Sequence, residues 1–407
     1  MRDRPRSERK TQERVLKLLV GAVVDGGLGY RLIGELSDQD DNRCIRADDL
    51  QVNLAQRGYS AAHVARALEE LRKAVDTTGV SLAEANLRTY NLLRYGAQVK
   101  LSEAKPHETV QLIDWEHPEM NDFAVAEEVT LKGGYERRPD IVLYINGIAV
   151  VVIELKRASV EVGDGVRQLI TNQEEIFNKP FFSTVQLLVA GSDSQGVRYG
   201  TTGTPEQFFV EWKLERGTEL SLAPGALLDR PLAELCNPEQ LLDMMRNCVI
   251  FEAGQKKIPR PHQFRGFKAA RARIQSNEGG VIWHTQGSGK SILMVMLAKW
   301  LLENDAEARI LVITDRDELD RQIEGVMQSS GVGGAESKAS RVTSRAGFVA
   351  KLSTPNPRLI CALIHKFDTN WEKGEPPKVH GRFYVFVDEC HRTQSGALHR
   401  TMKKWLG

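Results

Sequence analysis

The sequence predicts an α/β protein made of two successive domains, and two observations carry that prediction. Between about residues 99 and 214, strand-like runs rich in β-branched residues are bounded by Gly, Pro, Asn or Ser, which indicates a mixed α/β unit. After Arg260, continuous rather than alternating apolar runs are separated by helical or polar stretches. Such runs are typical of a parallel sheet covered by helices on both faces, so the second domain is predicted to be doubly wound.

The composition is that of an ordinary multidomain protein. With 407 residues and 41% hydrophobic content, each of two or three domains can bury its own core. The 55 basic and 54 acidic residues give a net charge of +1, so any contact with DNA must come from local patches. No apolar signal-peptide core and no apolar run of roughly 18 residues is present, so neither secretion nor membrane insertion is expected.

The cysteines favour a reducing compartment, and a cytoplasmic protein is expected. They are odd in number and never spaced as CxxC, which disfavours a disulfide framework or a zinc ribbon. The cysteines are Cys44, Cys236, Cys248, Cys361 and Cys390.

The first domain is predicted to span 1–225 and to open with helices, because apolar residues recur at helical spacing between Glu8 and Val75. Strands of its core are predicted at RPDIVLYI, IAVVVIELKR and TVQLLVAG. A stretch punctuated by Pro and Gly leads into a helical connector predicted at 226–258. The second domain is predicted at 259–407, with strands at GGVIWHT, ARILVITD, PRLICALIHKF and RFYVFVDE and a surface loop at 329–344.

A phosphate-binding loop is predicted at HTQGSGKS, between the first of these strands and the helix ILMVMLAKWLLEN. Glycines let backbone N–H groups wrap phosphates, and a helix N-terminus adds partial positive charge. Lys290 is predicted to reach the outer phosphates and the Ser291 hydroxyl to bind Mg²⁺. The other candidate nucleotide-binding residues of the loop are Thr285, Gln286, Gly287, Ser288 and Gly289. His284 stands where the general pattern has glycine.

Asp388 and Glu389 supply the second half of a nucleotide site at the end of an apolar run. Asp388 is a candidate metal ligand, and Glu389 is a candidate to polarise the attacking water. Upstream of the loop, Gln263 is a candidate to hydrogen-bond adenine; the alternative is an ordinary surface glutamine. The competing interpretation of GSGKS, a glycine-rich helix start that binds no nucleotide, is disfavoured by the acidic pair.

A second candidate site combines Asp140 with Glu154 and Lys156 on strands joined by Asn146-Gly147, a strong hairpin signal. A two-residue loop would set Asp140 opposite Ile153 and put the two carboxylates on opposite faces. A three-residue loop centred on Gly147 would pair Asp140 with Glu154, their Cβ atoms about 5 Å apart. Only the second register makes a metal site.

Asp140 and Glu154 are hard oxygen ligands, which favour Mg²⁺ or Mn²⁺ over zinc. Lys156 would lie on the same face, where it can orient or deprotonate a water that attacks phosphate. ExK alone is unspecific, and the alternative is an edge-strand salt bridge between Glu154 and Lys156. Gln168, on a helix predicted at Gly163–Phe177, is a candidate to pack beside this site with Arg167; otherwise it is a polar helix-face residue. Further ExK triplets start at Glu8, Glu103, Glu211 and Glu336.

With both sites in place, the chain resembles the restriction (motor) subunit of type I restriction-modification enzymes. The resemblance rests on stretches that occur in order along nearly the whole chain. They are SERKTQERV, LGYRLIGEL, RPDIVLYINGIAVVVIELKRA, VRQLITNQ, RYGTTGTPEQFFVEWK, HTQGSGKS, LVITDRDELDRQ, ALIHKF and VDECHRTQSG.

The resemblance implies a PD-(D/E)xK restriction-endonuclease-like domain followed by a RecA-like P-loop domain, the first half of a superfamily 2 helicase motor. Asp140, Glu154 and Lys156 would be the cleavage residues, with Mg²⁺ and ATP as cofactors and double-stranded DNA as substrate. Methyltransferase and specificity subunits would be partners, in a bacterial or archaeal cell. Some relatives carry a Gln-x-x-x-Tyr motif after the nuclease core; here Gln168 matches and Asn172 replaces the tyrosine. Superfamily 2 enzymes commonly relax the glycine position held by His284.

Length is the main departure from the family. Its motor has a second RecA-like domain and a C-terminal helical region, which are not recognisable in these 407 residues. A fragment or truncated product without ATP turnover or translocation is therefore expected. Two alternatives stay open: a stand-alone helicase-nuclease of DNA repair or phage defence, and a non-catalytic truncation that binds DNA or a partner.

Overall fold

A computed structural model describes the chain at 6–36, 44–102, 106–131, 135–215, 225–314, 340–342, 344–363, 376–388 and 404–406. The chain divides into two compact units, each with its own sheet. The first unit is Met1–Val249 with Gly254–Pro261, and the second is Ile250–Ala253 with His262–Gly407. None of the described helices is both long enough and apolar enough to cross a bilayer.

Some helices of the first unit begin after a side chain that accepts a hydrogen bond from an exposed amide of the first turn. Ser60 accepts from the amide of His63, and Ser81 accepts from the amide of Glu84. The described helices of this unit are α1 (Arg6–Val20), α2 (Ala47–Gln56), α3 (Ala61–Val75), α4 (Leu82–Tyr95), α5 (Val162–Thr171), α6 (Ala226–Leu235) and α7 (Pro238–Asn247). The helical opening predicted from the sequence is thus present, with one strand inserted in it.

The first unit is built around a mixed sheet of seven strands. Its strands are β1 (Arg31–Glu35), β4 (Phe123–Glu127), β5 (Ile141–Ile145), β6 (Ile148–Lys156), β7 (Leu187–Ser192), β8 (Gly196–Gly200) and β9 (Val210–Glu211), in the spatial order β1-β4-β5-β6-β7-β8-β9. The pairs β1–β4 and β6–β7 are parallel and the others antiparallel. A separate antiparallel pair joins β2 (Ala97–Val99) to β3 (Glu108–Val110). The mixed α/β unit expected from the strand-like runs is confirmed.

One face of this sheet packs on α5 through a continuous apolar core. Val142 on β5 and Val152 on β6 lie in the same buried cluster as Val166 and Leu169 of α5. Side chains two residues apart on a strand share a face, so Asp140 and Glu154 are directed to this same side of the sheet.

The second unit contains a parallel sheet. After α7 along the chain come the short strands β10 (Ile250–Glu252) and β11 (Gln255–Lys257). The described elements that follow are α8 (Pro261–Gln275), α9 (Lys290–Asn304), β12 (Ala308–Thr314), β13 (Ser340–Val342), α10 (Arg345–Leu352), β14 (Leu359–Leu363) and β15 (Arg382–Val387). The strand order is β13-β14-β12-β15, and every pair is parallel. The predicted runs ARILVITD, PRLICALIHKF and RFYVFVDE contain the strands β12, β14 and β15.

The run GGVIWHT, predicted to be a strand, is irregular instead. Val281 is 75% exposed and Trp283 is 92% exposed. A strand is stable only when its backbone joins a hydrogen-bonded ladder, and the described sheet ends at β15 without pairing to this segment. The apolar composition of the run was therefore an insufficient signal, and this prediction is wrong.

A buried arginine of β12, Arg309, holds together the backbone segments that surround it. The Arg309 guanidinium donates to the carbonyls of Leu352 and His380, both at 3.1 Å, and to those of Lys351 at 2.7 Å and Pro357 at 2.9 Å. Burial lowers the pKa of Arg309. One side chain thus satisfies four backbone acceptors from the end of α10 and the segments around it.

Candidate functional site

The hairpin of β5 and β6 sets the register that the candidate nuclease residues require. Its turn has two residues, Asn146 and Gly147, with φ of 51° and 76°, so both are in the left-handed region that a type I′ turn needs. Next to the turn, Ile145 pairs with Ile148. The three-residue loop considered in the sequence analysis is therefore not what the chain uses.

A β-bulge then changes the register. Tyr144 pairs with Ala149, but Leu143 pairs with Val151, which leaves Val150 as an extra residue on β6. The pairing continues as Ile141 with Ile153. One step further, the same register sets Asp140 opposite Glu154, as a metal site requires. The register that the pairing needs arises from a bulge within the strand, a cause that the turn motif did not reveal.

Asp140 and Glu154 are both buried, each with 1% of its surface exposed. The Asp140 Oδ2 atom accepts a hydrogen bond of 2.6 Å from the amide of Leu155, which ties the carboxylate to the end of β6. The backbone carbonyl of Asp140 accepts from the amide of Glu128 at 3.0 Å. Because β6 lies between β5 and β7, Glu154 is not on an edge strand, which was one part of the alternative interpretation.

Lys156 links Glu154 on β6 to Gln168 on α5. Its Nζ atom donates to Glu154 Oε1 at 3.1 Å and to Gln168 Oε1 at 2.8 Å. The lysine side chain is 13% exposed and that of Glu154 is 2% exposed, so the ion pair is well shielded from solvent. Gln168 is thus a direct partner of Lys156, more than an ordinary polar residue of a helix face.

Helix α5 approaches the sheet closely enough to hold Lys156 because residue 165 is glycine. A Cβ atom on Gly165 would lie 3.3 Å from Ala190 Cβ, 3.4 Å from Lys156 Cγ and 3.6 Å from Lys156 Cε. Gly165 was not singled out from the sequence, although a glycine inside a predicted helix is a usable signal because it lowers helix stability. Helix α5 ends at Thr171, whereas the sequence predicted a helix that continues to Phe177.

Arg167 does not join this cluster. Its guanidinium pairs with Asp164 and Glu206 on the exposed side of α5. Asn172, which stands at the second position of the Gln-x-x-x-Tyr pattern, is fully buried at the end of α5. Neither its Oδ1 nor its Nδ2 atom has a hydrogen-bond partner within the described part of the chain.

The donor set at Asp140 and Glu154 fits a hard cation such as Mg²⁺. Two adjacent carboxylates supply the oxygen ligands that such an ion prefers. Among the described residues, no group of three or more His, Cys, Asp and Glu side chains could enclose a metal ion by itself. Water and the phosphate oxygens of a substrate would have to complete the coordination.

The candidate phosphate loop precedes α9 as predicted. Gly289 caps this helix with a φ of 81°, and Gly287 has a φ of 75°, so both use the left-handed conformation that glycine permits. The Lys290 Nζ atom lies 3.3 Å from the carbonyl oxygen of His284 and 3.4 Å from that of Thr285. The Lys290 side chain thus lies against the backbone of the loop that is predicted to bind phosphate. Thr285 and Gln286 are exposed and Ser291 is half-buried.

Two side chains from the first turn of α8 contact backbone carbonyls of the loop. Gln263 is 2% exposed, and its Nε2 atom donates to the carbonyls of Ser288 at 3.1 Å and Gly289 at 3.0 Å. It is therefore not the surface glutamine of the alternative interpretation, and its amide nitrogen is engaged by the loop. His262, which the sequence analysis did not single out, places its Nε2 atom 2.9 Å from the same Ser288 carbonyl.

Two buried polar atoms in the loop fit the binding of a polar group. The Ser288 Oγ and His284 Nδ1 atoms are buried and have no hydrogen-bond partner in the described residues. Burial, together with the neighbouring His262 and Lys290, lowers the pKa of His284, which favours the neutral imidazole. A phosphate or its water shell could partner the two orphaned atoms, so the loop is suited to a nucleotide.

Asp388 follows β15 directly, and its amide donates to the carbonyl of Ile313 at 2.8 Å. It therefore sits at the carboxyl end of a parallel sheet, where ligands of α/β proteins commonly bind. Glu389, the predicted water activator, lies outside the described residues.

Two family models match the chain. The model of the type I restriction enzyme R protein N terminus matches residues 10–208, and the SWI2/SNF2 ATPase model matches residues 262–407. The HindI endonuclease subunit of Haemophilus influenzae is 33% identical over 342 residues, which are 77% of this chain and 32% of the relative. The putative MjaIXP endonuclease subunit of Methanocaldococcus jannaschii is 28% identical over 368 residues, 80% of this chain and 34% of the relative. The chain thus spans about a third of the length of these relatives.

Proposed function

Because the chain belongs to the family of type I restriction enzyme R subunits, whose N-terminal part it matches, we propose that its first unit is a Mg²⁺-dependent endonuclease that cleaves double-stranded DNA. The proposed fold is that of the PD-(D/E)xK nucleases, with the domain at 1–225. The observation that carries the proposal is the register of β5 and β6, which when extended by one residue sets Asp140 opposite Glu154, beside a Lys156 held by Gln168.

Each residue of this cluster has a proposed chemical role. Asp140 and Glu154 would hold Mg²⁺, which when bound polarises the scissile phosphodiester and stabilises the leaving oxygen. Lys156 would orient the attacking water or accept its proton, since its Nζ atom lies on the same face as both carboxylates. Gln168 would keep the Lys156 ammonium in place through the 2.8 Å hydrogen bond. The bulge at Val150 supports these roles because it brings both carboxylates to one face.

We further propose that the domain at 259–407, which follows the connector at 226–258, is the first RecA-like half of a superfamily 2 motor that binds ATP. Residues 285–291 would cradle the phosphates, and Ser291 and Asp388 would hold Mg²⁺. Glu389 would activate water, and Gln263 would contribute to adenine binding. In the complete enzyme, the proposed partners are methyltransferase and specificity subunits, and ATP-driven translocation would be coupled to cleavage.

The nuclease proposal is tested by incubating the chain with supercoiled plasmid DNA and Mg²⁺, alone and together with the modification subunits. We expect nicked and linear products, and a loss of at least about 100-fold in rate for Asp140→Asn, which removes one ligand charge at almost constant shape. Asp25→Asn is a matched control, because Asp25 is an exposed aspartate of the same unit.

Two results would contradict the proposal. One is the absence of Mg²⁺- or Mn²⁺-dependent cleavage under every one of these conditions, provided that circular dichroism shows a folded chain. The other is cleavage that persists at the wild-type rate in Asp140→Asn, which would trace the activity to a different site or to a contaminant.

A further inference from the structure

We propose that His284 and Gly266 form a matched pair that positions the phosphate loop. The imidazole occupies a loop position that the general pattern gives to glycine, and α8 lacks a side chain at the point where that imidazole packs. The proposal rests on the proposed nucleotide binding by this loop and adds two positioning residues to it, with His262 as the third contact of the ring.

The space for the ring exists because residue 266 has no Cβ. A Cβ atom there would lie 3.2 Å from His284 Cε1, 3.4 Å from His284 Nε2 and 3.2 Å from Leu293 Cδ2. The first and last of these distances are close enough that the neighbours would have to move. Any larger side chain at residue 266 would therefore push against both the loop and the helix α9 that follows it.

The backbone of α8 does not itself call for glycine at this position. Gly266 lies inside the helix and is not among the glycines with positive φ. In a helix interior, glycine is less favourable than alanine by about 1 kcal/mol. The helix thus carries a destabilising residue, and the contact with His284 gives a physical reason for it.

The ring of His284 also meets His262, which lies one turn before Gly266 on α8. The two imidazole rings cross edge to face, with their centroids 5.0 Å apart. The His262 Nε2 atom is 2.9 Å from the Ser288 carbonyl oxygen, and the Lys290 Nζ atom is 3.3 Å from the carbonyl oxygen of His284 itself. A shift of the His284 ring would therefore be passed to Ser288 and to Lys290, the residues predicted to meet phosphate.

A double-mutant cycle tests the pair. Binding of a fluorescent ATP analogue is measured by titration for the wild-type chain, Gly266→Ala, His284→Gly and the double variant. We expect Gly266→Ala alone to weaken binding about tenfold or more, because the new methyl group displaces the ring. In the His284→Gly background the same change should have almost no effect. Equal effects of Gly266→Ala in both backgrounds would overturn the proposal.

Gly279→Ala is the matched control, because a Cβ atom at Gly279 would meet nothing within 4 Å. It should leave the affinity unchanged. Thermal unfolding of each variant separates a displaced ring from an unfolded unit, and alanine at residue 266 favours the helical conformation by itself.

A second measurement needs no nucleotide. Histidine side-chain signals in nuclear magnetic resonance spectra should show the His284 resonances shifted by Gly266→Ala and unshifted by Gly279→Ala. If the wild-type chain binds no ATP analogue, the proposed nucleotide site fails while these spectra still test the packing. Unshifted His284 resonances in Gly266→Ala would reject the matched pair whatever the nucleotide result.

Discussion

The candidate nuclease site and the candidate phosphate loop differ in how far they are assembled. In the nuclease site, the Lys156 ammonium already lies on Glu154 and Gln168, and Asp140 is tied to the amide of Leu155. In the loop, the corresponding lysine, Lys290, lies on the backbone carbonyls of His284 and Thr285. The side chains of the first site already contact one another, whereas Lys290 would have to leave these two carbonyls before it could meet a phosphate.

The difference follows from how distant the parts of each site are along the chain. Asp140, Glu154, Lys156 and Gln168 come from one hairpin and the helix after it, so few residues must be ordered to bring them together. The nucleotide residues extend from Gln263 to Asp388 and depend on contacts between elements that are remote in sequence. A site made from neighbouring elements is preorganised at a smaller entropic cost.

The largest expected effect is that substitution of one lysine abolishes DNA cleavage alone and substitution of another abolishes nucleotide binding alone. Lys156→Ala should reduce DNA cleavage by at least about 100-fold and leave binding of an ATP analogue unchanged. Lys290→Ala should weaken binding of the ATP analogue and leave DNA cleavage unchanged, because it removes the cation that is predicted to meet the outer phosphates. Plasmid cleavage and fluorescence titration measure the two activities.

Exposed lysines of the same units serve as controls for this pair, Lys100→Ala in the first unit and Lys378→Ala in the second. Neither should change either activity. If Lys156→Ala weakened nucleotide binding as strongly as Lys290→Ala does, the two sites could not be treated as independent.

The next effect concerns stability of the second unit alone. Arg309→Met should lower its free energy of unfolding by about 3 kcal/mol, because four buried carbonyls lose their donor. Hydrogen exchange measured by mass spectrometry should show faster exchange in α10 and β14 and no change in β5 and β6.

Arg382→Met is the matched control for that experiment. Its side chain is 66% exposed and pairs with Asp305 at 3.2 Å, an arrangement that contributes less than about 1 kcal/mol. Equal destabilisation by the two substitutions would show that the buried hydrogen bonds of Arg309 stabilise the unit no more than the exposed ion pair of Arg382 does.

A smaller effect is expected from Gly165→Ala in the nuclease unit. The added methyl group would press on Lys156 Cγ and on Ala190 Cβ, and so shift the ammonium away from Glu154. We expect the cleavage rate to fall about tenfold with little change in stability, because alanine also favours the helix. A changed pH profile of the cleavage rate would identify displacement of Lys156 as the cause.

Gly163→Ala is the control on the same helix, because its Cβ atom would meet only the mobile end of the Arg167 side chain, at 3.4 Å. It should keep the wild-type rate. An unchanged rate in Gly165→Ala would show that α5 can move outward without disturbing Lys156.

The last expected effect is a pH dependence of stability caused by Lys256 in the first unit. Burial lowers the pKa of Lys256 well below its ordinary value, and its Nζ atom donates to the carbonyl of Val185 at 3.1 Å. The folded state therefore binds fewer protons than the unfolded state between the lowered pKa and the ordinary one. Stability should rise with pH in that window, by at most about 1.4 kcal/mol per pH unit.

Thermal unfolding of the first unit between about pH 7 and pH 10 measures this slope. Lys256→Met should flatten it, and Lys100→Met, at an exposed position, should not. A slope that is the same in all three proteins would mean that Lys256 keeps its proton when the chain folds.

Local patterns in the sequence predicted much of the nuclease site and less of the nucleotide site. The strand runs, the hairpin turn and the carboxylate pair could all be inferred, because each depends on residues close together in the chain. The bulge at Val150 could not, since β-branched residues on either side of it favour a regular strand equally well. Gly165 and His262 were missed because their roles depend on contacts with residues of other elements, which the local sequence does not show.

The run GGVIWHT shows the limit of such inference most clearly. Its residues have strong strand propensity, yet Val281 and Trp283 are exposed in an irregular segment. Strand formation depends on a neighbouring strand that donates and accepts hydrogen bonds, and composition alone does not supply one.

The extra residue at Val150 has a consequence for how the hairpin can vary in length among related proteins. Deleting residue 150 would remove the bulge but leave Leu143 opposite Val151, so the carboxylate pair would survive a one-codon gap there. A one-codon gap in β5 would shift Asp140 by one position along β6, opposite Ile153, and turn the two carboxylates to opposite faces. Alignments of this family should therefore tolerate gaps on one strand of the hairpin and exclude them from the other.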